Sequence, residues 1–388
     1  MIRWSEEGAE RSALWQPESG AAVPKRVVIA RDDLSADSAF RLASEGTGLL
    51  WRGDFQNARQ LLAALARRVD RPAKVKRKPK HPQPTSIAEA FHLHRQAQSQ
   101  RARTLSMLLI PVDADGSIPL PRAPDWREAC REAWGDDAVA PGGEPRLVPL
   151  RELLGIVGAH EWRSKGVEIA ALGAPPRNRI HPHYGVFSPV RGEYLDLIAA
   201  TPLPSGDLAF DIGTGTGVIA AVLTRRGVQR IVATETDPRA ASCARENIER
   251  LGLADRVVIE RIDLFPEGRA PLIVCNPPWL PARPASRLDA AIHDEQSRML
   301  RGFLSGLAAH LEPQGEGWLI LSDLAEHLGL RSRDELLGWI EAAGLMVLGK
   351  GDVKPRHPKA ADATDPLHAA RSSEVTSLWR LGARPANA

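Results

Sequence analysis

Cysteine is scarce in this chain of 388 residues, with only Cys130, Cys243 and Cys275 present. They are odd in number and widely spaced, which excludes a disulfide framework and leaves no CxxC metal pair. They read as reduced, mostly buried thiols. Long apolar runs are missing too: nothing approaches the roughly eighteen residues that a membrane-spanning helix needs. Trp4, Glu6, Glu7 and Glu10 stand where a secretory signal would have an unbroken apolar segment. A soluble, cytoplasmic protein is expected. Charge of one sign is not in large excess either; the net charge is +3, which by itself points only weakly to nucleic acid. What is present, 43% hydrophobic residues, suffices for ordinary packed cores and for two domains.

The first half carries periodic segments but no chemical motif. After Asp54, a candidate helix N-cap, Phe55, Ala58, Leu61, Leu62, Leu65 and Val69 recur at helical spacing. Pro72, Pro79, Pro82 and Pro84 then break regular structure, and Arg71, Lys74, Lys76, Arg77, Lys78 and Lys80 lie among them, a basic, Pro-rich linker over residues 71–85. The capping box Ser86-Ile-Ala-Glu89 opens another helix, Met107 to Val112 reads as a buried strand, and helical patterns return near Trp126–Trp134 and Leu150–Trp162. Residues 1–170 are therefore expected to form a mixed, mainly helical accessory domain, with substrate recognition as its candidate role.

From Arg179 onward strands and helices alternate. Strands are predicted at Leu208–Ile212, Arg230–Glu235, Arg256–Ile262, Leu272–Cys275, Trp318–Ser322, Leu345–Val353 and Thr376–Leu381. Helices begin at Val218, Pro238, Arg298 and Asp334 between them. Such alternation gives an α/β, Rossmann-like domain over residues 179–388, whose seven-stranded sheet is mostly parallel with its last strand antiparallel. Ligands bind at the carboxyl ends of such strands.

Phe210-Asp-Ile-Gly-Thr-Gly-Thr-Gly-Val218 leads from the first of these strands into a helix. Gly213, Gly215 and Gly217 permit a tight turn and leave space for a ligand against the main chain. Glu235 ends the next strand, where a carboxylate reaches ribose hydroxyls in this architecture. A nicotinamide enzyme shares these features, but its fingerprint is GxGxxG, and Val218 stands at the third glycine. Pyrophosphate wants helix N-terminal amides, whereas an acid, Asp211, directly before the glycines suits the sulfonium and amine of S-adenosylmethionine. Asp263, closing the third strand, would face the adenine amino group.

At the end of the fourth strand stands Asn276-Pro277-Pro278-Trp279. An amide or exocyclic aromatic amine is a poor nucleophile because its lone pair is delocalised. If the Asn276 side-chain oxygen and the Pro277 carbonyl both accept hydrogen bonds from an NH2 group, its nitrogen is pushed toward tetrahedral geometry. The prolines fix the backbone so that this carbonyl faces the pocket, and Trp279 offers a flat surface for stacking. No general base is needed before attack; positioning and fixed dipoles carry the step.

Between Tyr184 and Leu321 the chain resembles class I methyltransferases with a small methyltransferase domain. It is similar to the release-factor glutamine methyltransferases in Asp211–Gly217, Ala-Thr-Glu235, Asp263-Leu-Phe265 and Asn276-Pro-Pro278. It also resembles ribosomal RNA guanine and adenine-N6 methyltransferases, whose cofactor-contacting segment is similar to Gly185-Val-Phe-Ser-Pro189 and implies that Phe187 or Ser188 lines the cofactor pocket. The glutamine enzymes typically carry Tyr where this chain has Trp279, and a shorter N-terminal domain. The resemblance implies methyl transfer from S-adenosylmethionine to a planar nitrogen.

Three readings of the acceptor stay open. The favoured one is an exocyclic base amine in RNA, with DNA less so. If Leu345–Val353 is parallel, Lys350, Lys354, Arg356, His357 and Lys359 form a basic rim beside the Asn276 pocket. Protein glutamine methylation, on a ribosomal or translation-factor substrate, fits the same chemistry. A non-catalytic scaffold that binds cofactor is the third. His181 and His183 read as polar surface, with no metal constellation and no membrane partner.

Overall fold

The structure is a computed structural model that describes residues 1–17, 20–71, 84–136, 138–139, 142–190, 192–356 and 365–385. Most of the basic run from Arg71 to Lys80, together with His357 and Lys359, lies outside the described residues. Two compact units divide the chain, Met1–Thr85 with His92–Glu161, and Ser86–Phe91 with Trp162–Ala388. Residues 86–91 and 162–170, which the sequence reading gives to the N-terminal half, thus pack with the second unit.

A six-stranded sheet organises the first unit, with strands β1 (Ile2–Glu6), β2 (Ala9–Trp15), β3 (Arg26–Ala30), β4 (Thr47–Trp51), β5 (Leu108–Val112) and β6 (Arg146–Pro149). Their order is β1-β2-β6-β5-β4-β3. The expectation of a mainly helical half is corrected to this extent: helices flank a sheet of which the sequence reading found only β5. Asp54 is the expected N-cap, accepting from the Gln56 amide at 2.8 Å, and the helix Phe55–Val69 buries Phe55, Ala58, Leu61, Leu62 and Leu65.

The second unit opens with a small ribbon, β7 (Val167–Glu168) against β8 (Arg179–Ile180). Its main sheet contains β9 (Leu208–Ile212), β10 (Arg230–Thr234), β11 (Val257–Glu260), β12 (Ala270–Cys275), β13 (Leu311–Ser322), β14 (Leu345–Val353) and β15 (Thr376–Ala383). The order is β11-β10-β9-β12-β13-β15-β14, and only β15 runs antiparallel to its neighbours. Both faces of the central strands β9, β10, β12 and β13 are covered over much of their length, so these read as near-continuous apolar runs, whereas the edge strand β14 is largely exposed. Ala209, Ile231, Leu272, Val274, Trp318 and Ile320 join one core, with the helices Val218–Arg225 and Pro238–Arg250. Phe210, Val232, Ile273, Cys275 and Leu319 join the other, with the helix Arg298–His310. Period two along each strand is what separates the two sets. Among the described residues no helix is long and apolar enough to cross a membrane.

Gly317 of β13 lets the helix Arg298–His310 approach, since a Cβ there would run into Leu307 Cδ2. Gly317→Ala is expected to cost about 1–3 kcal/mol by overpacking. Chemical denaturation should show a lower midpoint at unchanged slope; an unchanged midpoint would mean that Leu307 repacks freely.

Candidate functional site

Strand register sets three residues at one level. Ile212 of β9 lies opposite Thr234 of β10 and Cys275 of β12. The next residue along each strand is Gly213, Glu235 and Asn276, respectively. With strands roughly 4.8 Å apart, Glu235 and Asn276 flank the glycine turn at a separation of roughly 10 Å. Two expected groups are therefore brought together by backbone pairing alone.

All three glycines of the turn have positive φ, 71° at Gly213, 59° at Gly215 and 80° at Gly217, a region that other residues enter only under strain. They differ in what lies above them. A Cβ on Gly215 would meet nothing within 4 Å, one on Gly217 would touch Ala244 at 3.4 Å, and one on Gly213 would strike the methyl of Met299. Open space for a ligand therefore lies over Gly215, while Met299 covers Gly213.

Asp211 is fully buried. Its Oδ2 accepts from the Thr214 hydroxyl at 2.6 Å and from the Ala220 amide at 3.1 Å. Its Oδ1 is buried with no hydrogen-bond partner. Burial pushes this carboxyl up to about 6, against the lowering effect of the Thr214 and Ala220 hydrogen bonds. An orphaned carboxylate oxygen beside an open glycine turn fits a ligand that brings a cationic amine. Glu235 accepts from the Gly215 amide at 3.1 Å and the Asp237 amide at 3.0 Å, which orients it and leaves lone pairs for hydroxyl donors.

The remaining cofactor-side expectations are placed less directly. Asp263 is exposed and paired with Arg298, Oδ2 to Nη1 at 2.9 Å, which holds its carboxyl below the usual range. An adenine amine would have to share it with Arg298. Phe187 is 38% exposed, and the Ser188 hydroxyl oxygen is buried without a hydrogen-bond partner. His181 Nδ1 lies 2.6 Å from the Arg163 carbonyl and His183 Nε2 lies 2.8 Å from Glu246, so both act as fasteners of the chain. Among the described residues no cluster of His, Cys, Asp and Glu could hold a metal.

At the end of β12 the Trp279 side chain has a defined partner. Its indole N–H donates to Asn276 Oδ1 at 2.9 Å. An indole N–H can only donate, so this bond fixes which way the Asn276 amide faces. The ring is partly buried and packs against both cores of the unit, so it is not a free stacking platform. One lone pair of Asn276 Oδ1 is thus already committed, and one stays available for an N–H donor.

The basic rim is displaced from its expected place. β14 is indeed parallel to β13, and Val353 ends level with Thr376, at the carboxyl end of the sheet. However, β13 and β15 stand between β12 and β14, which puts Lys354 roughly 14 Å sideways from the Asn276 strand. Lys354 and Arg356 are both exposed, and Arg356 pairs with Asp196 at 3.5 Å. Lys350 folds back on Asp352 at 2.8 Å and lies over the Trp379 ring.

Sequence reasoning missed Thr214, Met299, Asp294 and Arg331. Asp294 accepts from the Met299 and Leu300 amides, opening the helix that carries Met299 over the turn. Just before it, Gln296 and Ser297 hold φ of 58° and 54°, a strained stretch of the sort found beside ligand sites. An acid a few residues ahead of an apolar helix was the available signal; the others had none.

A carboxyl raised to about 6 holds its proton below that pH, and the neutral form cannot pair with a cationic amine. Affinity for S-adenosylhomocysteine is therefore expected to fall about tenfold per unit as pH drops below 6, and to level off above it. Without ligand the sign reverses: stability contributed by the buried neutral acid is present at low pH and lost as pH rises from roughly 4 through 6. Calorimetry from pH 5 to 8 tests this, with Asp211→Asn expected to bind weakly at every pH. A flat profile in the unaltered chain would remove Asp211 from the ligand site.

Residues 178–332 match the methyltransferase small domain family. The chain is 42% identical over 73 residues to a ribosomal protein L11 methyltransferase of Pelotomaculum thermopropionicum, covering 18% of this chain and 24% of that one. It is 31% identical over 170 residues to a release factor glutamine methyltransferase of Cereibacter sphaeroides, covering 40% and 58% respectively. It is 36% identical over 132 residues to a tRNA1(Val) (adenine(37)-N6)-methyltransferase of Porphyromonas gingivalis, covering 30% and 51%. The chain thus spans between about a quarter and three fifths of the length of these relatives. The match to a methyltransferase small domain spans the acid-led glycine turn and the Asn276-Pro277-Pro278-Trp279 strand end of the second unit.

Proposed function

We propose that the protein methylates a planar nitrogen of the translation machinery, with an exocyclic base amine in RNA as the preferred acceptor. The observation that carries this reading is the level placement of Asn276 beside the glycine turn, with its amide oriented by Trp279. Asp211, Glu235 and the backbone over Gly215 would hold S-adenosylmethionine, and Asp263 and Phe187 would border its adenosyl end. When bound, that cofactor supplies an electrophilic methyl group.

The chain's own residues do the rest. Asn276 Oδ1 offers its remaining lone pair, and Pro277, which has no N–H, offers only its carbonyl. Two acceptors converging on one NH2 group localise its lone pair and favour the pyramidal nitrogen of the transition state. Pro278 stiffens the turn so that neither acceptor has to reorganise. No side chain need remove a proton first, because the proton becomes acidic only as charge develops on nitrogen.

Relatives named for a tRNA adenine support RNA, as do the exposed cations Lys354 and Arg356 at the carboxyl edge of the sheet. The match over 170 residues to a release factor glutamine methyltransferase supports the second reading, a protein glutamine amide, which offers the same NH2 geometry. The first unit is read as an accessory domain for recognising the acceptor.

Labelled methyl transfer into a lysate lacking the enzyme, divided between RNase and protease treatment, decides between them. Label lost to RNase is expected; label lost only to protease would favour the glutamine reading. Asn276→Ala should lower turnover by roughly 10²–10³ with cofactor affinity little changed, and equal activity would remove Asn276 from the mechanism. Trp279→Phe keeps an aromatic ring, though a smaller one, but frees the Asn276 amide to turn. It should cost about tenfold in kcat, the worth of one hydrogen bond, with KM nearly constant. A raised KM with kcat intact would return Trp279 to the stacking role.

A further inference from the structure

Arg331 has more unsatisfied buried nitrogens than any other side chain among the described residues of the second unit. It is only 3% exposed, and its Nε, Nη1 and Nη2 are all buried without a hydrogen-bond partner. A guanidinium cannot escape this by losing its proton, so its burial is costly as it stands.

Opposite charge is not what it lacks. Glu326, Glu335 and Asp294 all act on it electrostatically, with the Arg333 cation opposing them. Yet each is committed elsewhere: Glu326 to Arg333 at 2.7 and 2.9 Å, Glu335 to the Ser332 amide at 2.7 Å, and Asp294 to the Met299 and Leu300 amides. The guanidinium therefore has compensating charge nearby and no acceptor atoms. A phosphate would supply acceptors but would add negative charge beside three carboxylates. A neutral planar group with two adjacent acceptors would satisfy the fork without that repulsion.

Its place in the fold is on the side of the Asn276 strand away from the cofactor residues. Arg331 lies in the turn between the helices Leu324–His327 and Arg333–Ala342, which follow the carboxyl end of β13. β13 neighbours the Asn276 strand on the side away from β9, β10 and the cofactor residues Asp211 and Glu235. We propose that Arg331 is a recognition residue for the methyl acceptor, holding its guanidinium for a heterocycle edge that presents a carbonyl oxygen beside a ring nitrogen. This rests on the methyl-transfer reading only for calling that ligand the acceptor.

Arg331→Met, of similar length and apolar, tests it with two readouts on the full chain. If the guanidinium is kept for a ligand, removing it relieves an unsatisfied burial, and the thermal midpoint without ligand should rise. A lowered midpoint would make Arg331 a structural residue and overturn the proposal. Guanosine, which carries such an edge, should bind the unaltered chain and lose about tenfold in affinity in the variant. Adenosine, which places a donor beside its ring nitrogen, should bind weakly to both. Inorganic phosphate binding that depends on Arg331, with no preference for guanosine, would replace the base-edge reading by an anion site. Loss of S-adenosylhomocysteine affinity in the variant would move Arg331 to the cofactor side and equally overturn the proposal. An unaltered chain that binds no S-adenosylhomocysteine would defeat the methyl-transfer reading instead, and the midpoint and guanosine binding would still decide the role of Arg331.

Discussion

Parallel pairing of β9 with β10 on one side and β12 on the other is the constraint on which the site depends. Backbone hydrogen bonds, not side chains, bring Glu235 and Asn276 to either flank of the glycine turn. A slip of one residue in either pairing would turn the strand's apolar side chains to the wrong core. Because Ile273 and Cys275 are buried on one face and Leu272 and Val274 on the other, such a slip would displace methyl-sized volumes on both faces at once. The packing that stabilises the sheet is thus also what locates the functional groups, to within the tolerance of a close-packed core.

On that frame sit groups that packing alone does not explain. Asp211 is held in an apolar interior at a cost that its hydrogen bonds from Thr214 and Ala220 offset only in part, as its upward shift to about 6 records. Trp279 shows the opposite economy. Its ring fills space between the ends of the two cores, and its one polar atom is spent on orienting Asn276. A single residue thereby joins core packing to the geometry of the reacting group.

Much of the second unit was legible in the sequence for a physical reason. Strands buried on both faces are short apolar runs, and Gly213, Gly215 and Gly217 mark a turn where positive φ recurs at alternate residues. Asp237 and Pro238 announce their helix by capping chemistry. The first unit was not legible in the same way. β4 is interrupted by Gly48, β1 and β2 carry exposed charged residues, and β2 pairs with β6 across about 130 residues of intervening chain, a contact with no local trace. In the site, the residue types at strand ends could be read, but their partners could not. That Arg298 claims Asp263, or that Trp279 claims Asn276, follows from rotamers and approach angles rather than from spacing.

The unsatisfied groups of the second unit have a polarity that sorts ligands. Among the buried groups without a hydrogen-bond partner, Asp211 Oδ1 on β9 is an acceptor, and the Arg331 guanidinium, beyond the end of β13, is a set of donors. A cationic amine is favoured at the first and repelled at the second, and an acceptor-rich heterocycle has the reverse preference. If Asp211 faces the cofactor and Arg331 the methyl acceptor, as proposed, hydrogen-bond complementarity would keep the two ligands from exchanging places. Shape alone could not do this for two flat molecules of similar size. Such discrimination requires that the groups remain unpaired until a ligand arrives, so the instability they impose on the empty protein and the selectivity they give the loaded one are the same free energy seen from two states.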